Sequence, residues 1–432
     1  MTTTLFNHKS LYRRLSTHRP LHSLQTVDSP EPDKLTTWQS TLTTGSQRVL
    51  TSIHASPWLQ LITVFVGYIF HLVYLTQRQF IFPIQWWASP GNEWRAYRYF
   101  VGIGYDSLAG IFALLFYYQR FRSPTQPPML VPQKMPWKFP PAPSPTTEAA
   151  TNLVEAIRNQ YSWPHVVHRA TFLWTAVCLI TAYFATGRFS LFWQDMLYEL
   201  SAKGFPLTTP QFRAWSVLLG HLSWVGVGSA LLFLFPFAPR FFRSAFPRDL
   251  TSSNSEQLSK KPWHWFRFQF RKPQNGQSVW VWWVLGGYCV SCWLFNLADW
   301  ANHFLLPDAV LKLSSESVVS QLVAPEFNDR TASLIGYIAP CLSAPLWEEL
   351  LYRGFLLPGL WSCLFRHNFS LAALVQAVVF SAHHMSLVAA LPLAVLGYVW
   401  AVLYGLSGNL WTVCLVHALW NSRVFLTGWL GL

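Results

Sequence analysis

Residues 367–422 read HNFSLAALVQAVVFSAHHMSLVAALPLAVLGYVWAVLYGLSGNLWTVCLVHALWNS, 56 residues without one Asp, Glu, Lys or Arg. A bilayer-spanning helix needs roughly 20 mainly apolar residues, so this block and its flanks hold more than one crossing. Leu387–Leu406 and Leu410–Leu430 reach that length, turning back near Ser407–Asn409, and the shorter Phe369–His384 precedes them. Just upstream, Leu334–Leu360 reads as one long helix interrupted near Pro345 and turning at Trp361–Asn368. Further toward the N-terminus the same pattern recurs at Trp58–Thr76, Tyr99–Tyr118, Ala170–Gly187, Trp215–Phe237 and Val279–Ala298. The expected fold is therefore all-α, a polytopic transmembrane helical bundle of about eight or nine spans.

Composition supports this. The chain has 432 residues, of which 52% are hydrophobic and 11% charged, with a mean hydropathy of +0.23. Ordinary soluble domains carry about 25% charged residues. Disordered chains, coiled coils and small disulfide scaffolds are excluded, and a soluble enzyme is disfavoured. The net charge of +13 does not indicate nucleic acid, because no basic stripe with interleaved aromatics forms a separate domain. The basic residues sit between apolar runs instead. Lys plus Arg number 6 before the first span and then 3, 6, 3, 8 and 2 in the five following loops, the alternation expected of a membrane protein with a cytoplasm-side N-terminus. Five of the six cysteines fall inside apolar runs and read as small core residues; Cys289 and Cys292 form a CxxC, but inside an uncharged apolar stretch.

Three regions follow. Residues 1–57 form a basic, disordered tail. Residues 1–27 hold eight Ser or Thr and no acidic residue, which fits either an organellar transit peptide or a cytosol-side basic tail. Residues 58–300 form an N-terminal membrane region of about five spans, in which 123–145, with nine prolines, is an extended linker. The remainder carries the chemistry.

Intramembrane ionisable groups are costly and point to function by default. The uncharged block keeps His383, His384, His417 and Asn421, and just before it stands Pro345-Leu-Trp-Glu-Glu-Leu-Leu-Tyr-Arg-Gly354. Residues four apart share a helix face. Glu349 and Arg353 are so spaced, as are Phe380 and His384, and His417 and Asn421. Arg353 is expected to neutralise Glu349, leaving Glu348, rotated by roughly 100°, to another partner. Counted from the hairpin turns at about 1.5 Å per residue, Glu348, His384, His417 and Asn421 reach neighbouring depths. A carboxylate and an imidazole can take the proton of a shared water, while a second imidazole and a carboxamide can donate to an oxyanion. The same glutamates and histidines could alternatively hold zinc or another divalent metal, although HExxH and GxSxG motifs are absent. Taken singly, these residues read as caps, a salt bridge and interhelical hydrogen-bonding glue. His71, His221 and His303 read as structural or interfacial.

The three motifs, Glu348-Glu349-x-x-x-Arg353, Phe380-x-x-x-His384 and His417-x-x-x-Asn421, resemble those of the CPBP family of intramembrane proteases, which includes CAAX prenyl proteases and the bacteriocin-processing Abi proteins. The resemblance covers roughly 331–427 and implies a CPBP-type helical core. It implies that Glu348 and His384 activate water, that His417 and Asn421 stabilise the oxyanion, and that Glu349, Arg353, Phe380 and His383 support them. His383 precedes His384 directly, and the FxxxH spacing selects His384. The implied activity is an endopeptidase acting on a membrane-associated, prenylated CaaX or other lipidated substrate within the bilayer, with no cofactor. A metal site on Glu348, His384 and His417 is the alternative. A non-catalytic membrane scaffold and a proton-coupled transporter are the competing functions. The tail points to a plastid or mitochondrial membrane, CaaX processing to the endoplasmic reticulum, and both stay open.

Overall fold

The computed structural model describes residues 46–47, 49–54, 56–80, 103–121, 130–131, 169–234, 268, 280–312, 318–365 and 368–430. The chain divides into two units, Met1–Ser52 and Ile53–Leu432. In the first, the described residues are helical and exposed. The greater part of the expected N-terminal tail and of the linker 123–145 lies outside the described residues.

The second unit is a helical membrane bundle, as expected. Its helices are α1 (Pro57–Phe70), α2 (Tyr105–Phe121), α3 (Arg169–Ala202), α4 (Thr209–Leu234), α5 (Trp280–Leu305), the short α6 (Asp308–Lys312) and α7 (Val318–Val323), then α8 (Arg330–Ile338), α9 (Ala344–Glu349), α10 (Leu357–Gly359), α11 (Phe369–His383), α12 (Ala390–Ser407) and α13 (Leu410–Leu430). A two-residue antiparallel pair, Gln79–Phe80 with Ile103–Gly104, precedes α2. Each of the nine expected spans thus has a helical counterpart. Among the described residues, five helices are long and apolar enough to cross a membrane: Pro57–Leu75, Phe172–Ala202, Thr209–Leu232, Trp280–Asn302 and Ala390–Ser407. The helix α11 is apolar but shorter.

Local chemistry sets the helix ends. Ser56 caps α1, with Pro57 in the first turn where its missing N–H costs nothing. Asn368 accepts from Leu371 N at 3.1 Å to start α11. Gly408, at φ 62°, closes α12 in the left-handed conformation that glycine tolerates, at the turn expected near Ser407–Asn409. In contrast, α3 continues 15 residues beyond the expected end at Gly187. That glycine faces open space and does not break the helix, and the chain turns at Gly204, φ 99°.

Packing is by close approach of small residues, the usual device in lipid. The helix α2 lies on α5, α3 on α4, α11 on α12, and α5 against both α12 and α13. At Gly110 a Cβ would run into the Cys289 carbonyl oxygen and lie 2.5 Å from Trp293 Cβ. The outward faces of α1 and α3 expose Trp58, Ile62, Phe65, Trp174, Ile180 and Phe184, as lipid-facing surfaces do. A buried polar tie joins the N-terminal helices to α13. Asp106 accepts from Asn296 Nδ2 at 3.0 Å and from Arg423 Nη2 at 3.3 Å.

Two consequences are measurable. Gly110→Ala should destabilise the detergent-solubilised protein by about 1–3 kcal/mol, read as a lowered thermal midpoint, because the facing backbone cannot yield. Asp329 caps α8 through Ala332 N and accepts from Thr208 Oγ1 at 2.6 Å and Gln211 Nε2 at 2.9 Å. These bonds, that from Thr208 foremost, hold its carboxyl below the usual carboxylate range. Its contribution is therefore fully present above about pH 4, the unfolded value, and is lost as acidification passes the lower folded value. The thermal midpoint should fall on acidification toward pH 3, and Asp329→Asn should flatten that dependence.

Candidate functional site

The site is built on the helical run from Arg330 to Leu364, whose interruptions are placed by proline. Pro345 has no N–H to donate four residues back. The helix answers with a π-turn at Ala339–Ser343, in which the Ala344 N–H reaches the carbonyl of Ala339. That register directs the Pro340 carbonyl toward Pro345, which has no N–H. The orphaned oxygen is taken by Asn421 Nδ2 of α13 at 2.6 Å. The interruption expected near Pro345 is thus a π-turn just before it rather than a break. A second π segment, Leu350–Leu356, precedes Pro358.

Glu348 and Glu349 end α9 and diverge as their spacing requires. Glu349 is 0% exposed, as is Arg353. Arg353 Nη1 donates to Glu349 Oε1 at 2.9 Å, and Nη2 donates to the Gly397 carbonyl at 3.0 Å. The guanidinium also lies over the Phe380 ring at 5.0 Å and the Trp400 ring at 5.5 Å, a cation–π pairing that suits a desolvated arginine. Gly397 also lets α12 close on α11, since a Cβ there would sit 3.0 Å from Ala377 Cα.

His417 joins both glutamates. Its Nδ1 lies 2.9 Å from Glu349 Oε1, and its Nε2 lies 4.0 Å from Glu348 Oε2. A carboxylate paired with arginine only accepts, so Nδ1 carries the proton in that bond. The imidazole packs on Trp400 at 4.3 Å. His384 sits at the C-cap of α11, exposed, with Nδ1 2.8 Å from the Phe380 carbonyl. That carbonyl is an acceptor, so Nδ1 again carries the proton and Nε2 keeps its lone pair. His383 turns the other way, against Tyr183 at 4.4 Å.

Glu348 differs from Glu349. Its side chain is 12% exposed and Oε2 has no hydrogen-bond partner. Glu349 Oε2 lacks one too, but inside a sealed environment, whereas Glu348 opens onto a cleft of about 430 Å³. Tyr183 and Ser190 of α3, His221 and Trp224 of α4, and His383 of α11 also line this cleft. The imidazoles of His384, His417, His383 and His221 all lie within electrostatic range of Glu348.

The sequence expectations meet this geometry unevenly. The Arg353–Glu349 pairing and the release of Glu348 are as expected. Asn421 comes to the same helix run, but one amide hydrogen is committed to Pro340. His383, not His384, lines the cleft. His221, structural or interfacial by its sequence, shares the cleft with Glu348. The sequence signal was an ionisable residue inside the apolar run Trp215–Phe237. His71, by contrast, is buried beside the Tyr288 hydroxyl at 3.4 Å. Among the described residues, no group of three or more His, Cys, Asp or Glu side chains is arranged to hold a metal ion.

Residues 330–423 match the family model for type II CAAX prenyl endopeptidases of the Rce1-like kind, in keeping with the motif resemblance. The chain is also similar to "Putative membrane peptidase YdiL" of Bacillus subtilis (strain 168), at 20% identity over 155 residues, 35% of this chain and 59% of that protein. The chain therefore spans about three fifths of that relative's length. No solved structure matches. The α3 and α4 walls of the cleft lie outside the family match.

Removing one partner of a buried ion pair leaves an uncompensated charge, at a cost of about 3–5 kcal/mol. Arg353→Met should therefore lower the thermal midpoint severely, and Glu349→Gln in the same chain should restore part of the loss.

Proposed function

We propose that the protein is an intramembrane endopeptidase that cleaves a peptide bond of a prenylated CaaX or similarly lipidated substrate, using water activated by Glu348 and His384. The observation that carries this reading is the asymmetry of the glutamate pair. Glu349 is neutralised by Arg353 and hydrogen-bonded to His417, while Glu348 lines a cleft and keeps an oxygen without a hydrogen-bond partner. A structural ion pair needs one glutamate. A hydrolase needs the second.

The chemistry runs as a general-base attack. Glu348, assisted by the lone pair of His384 Nε2, accepts a proton as the water oxygen bonds to the scissile carbonyl carbon, and the carbonyl electron pair moves to oxygen. The developing oxyanion is stabilised by His417 Nε2–H and by the second amide hydrogen of Asn421. With Nδ1 committed to Glu349, His417 donates from Nε2 only as an imidazolium. Counted with Arg353 and the two carboxylates, that form makes the cluster electrically neutral, which suits a site in lipid. Collapse breaks the C–N bond, the proton held by Glu348 passes to the leaving nitrogen, and a carboxylate and an amine result.

The experiment is cleavage of a farnesylated CaaX peptide in membranes carrying the protein, wild type against Glu348→Gln, each with and without a chelator. The expected result is wild-type cleavage, insensitive to the chelator, and a loss of about 10²–10⁴-fold in the variant, the usual scale of general-base catalysis. Chelator-sensitive cleavage would move the mechanism to a metal on Glu348, His384 and His417. A folded wild type that leaves the peptide intact would overturn CaaX processing and return the chain to the scaffold reading.

A further inference from the structure

The cleft wall opposite Glu348 carries an imidazole for which the structure provides no structural bond. His221 lies on α4, within a span, and its Nε2 is buried without a hydrogen-bond partner. Such a group costs free energy unless something else satisfies it, and a polar side chain facing a cavity in lipid is kept at a cost. The nearest functional counterpart is the unpartnered Oε2 of Glu348, on the same cleft and within electrostatic range of His221. Two buried polar atoms without hydrogen-bond partners, on two residues that line one cleft, are what a bridging water or a bound substrate group would satisfy. His384, the imidazole that the family motif supplies, approaches Glu348 from the α11 end and does not line this cleft.

We propose that His221 is a positioning residue of the active site: from the α4 side, its Nε2 holds the water that Glu348 activates, so that the site is completed by a helix outside residues 330–423. The inference rests on the hydrolytic reading above. It gives the N-terminal membrane region a direct part in the chemistry. In the hydrolysis the water proton still goes to Glu348, and His221 fixes the attacking oxygen by one hydrogen bond without exchanging a proton. Tyr183, which also lines the cleft and whose hydroxyl donates to the His383 carbonyl at 3.5 Å, holds the neighbouring wall.

The test uses the full-length protein in membranes and the farnesylated CaaX peptide as probe. His221→Phe keeps an aromatic ring and removes the nitrogen; His221→Gln keeps a hydrogen-bonding group. Loss of one oriented hydrogen bond should lower kcat about tenfold. The expected result is that drop in His221→Phe with KM within about twofold, since the bond is made to water rather than to peptide, and recovery of most of the activity in His221→Gln. In a Glu348→Gln background His221→Phe should cost nothing further, because the two residues act on one water. Should His221→Phe not accumulate as folded protein, His221→Leu replaces it in the same comparison. Wild-type activity in both His221 variants, with Glu348→Gln inactive, would overturn the role of His221 and leave the endopeptidase standing. Equal loss in both folded variants, or a change confined to KM, would overturn it in favour of packing or peptide contact. An inactive wild type would remove the hydrolytic reading itself, and this proposal with it.

Discussion

A guanidinium and a carboxylate, both fully enclosed, are the constraint around which the C-terminal helices are arranged. Neither Arg353 nor Glu349 could be left in that environment alone, so every neighbour is shaped to serve them. Gly397 is bare, so that α12 can close on α11, and it offers its carbonyl. Phe380 and Trp400 present ring faces, and His417 turns its Nδ1 toward the shared oxygen. Four segments, α9 with its π extension, α11, α12 and α13, are thereby fixed against one another at the depth of the chemistry. Glu348 inherits its position from this arrangement without spending its own hydrogen bonds on it.

Much of this could be read from the residues. An i, i+4 pair in an apolar helix defines both its own geometry and the direction of the residue beside it, so Glu349, Arg353 and the release of Glu348 followed from spacing alone. The turn at Gly408 and the start of α11 at Asn368 are equally local. What could not be read was set by contacts distant in sequence. That Asn421 also holds the Pro340 carbonyl was hidden, because this partner is 81 positions away and is orphaned only by a change in helical register. His221 looked inert because nothing on its own helix answers it; Glu348 lies on another. The overrun of α3 past Gly187 is a failure of a different kind, since a glycine that meets no neighbour and keeps helical dihedrals ends nothing.

The cleft is a joint product of two parts of the chain. Its chemical side comes from the segment that matches the protease family, and its opposite wall from α3 and α4, which do not. Trp224 and Trp347 meet edge to face across this boundary at 5.4 Å, and a Cβ on Gly228 would run into the Trp347 indole. Small residues on α4 thus let the wall close on the glutamate-bearing helix.

The π-turn at Ala339–Ser343 has one more implication. It inserts one residue of rotation ahead of the glutamates, and consecutive helix positions differ by roughly 100°. Glu348 and Glu349 are themselves one position apart. Excising a single residue from the bulge would bring Glu349 to the place where Glu348 now stands and carry Arg353, four positions on in the same helical run, round with it. The proline that forces the bulge acts as an angular index, deciding which of two chemically identical side chains faces the cleft.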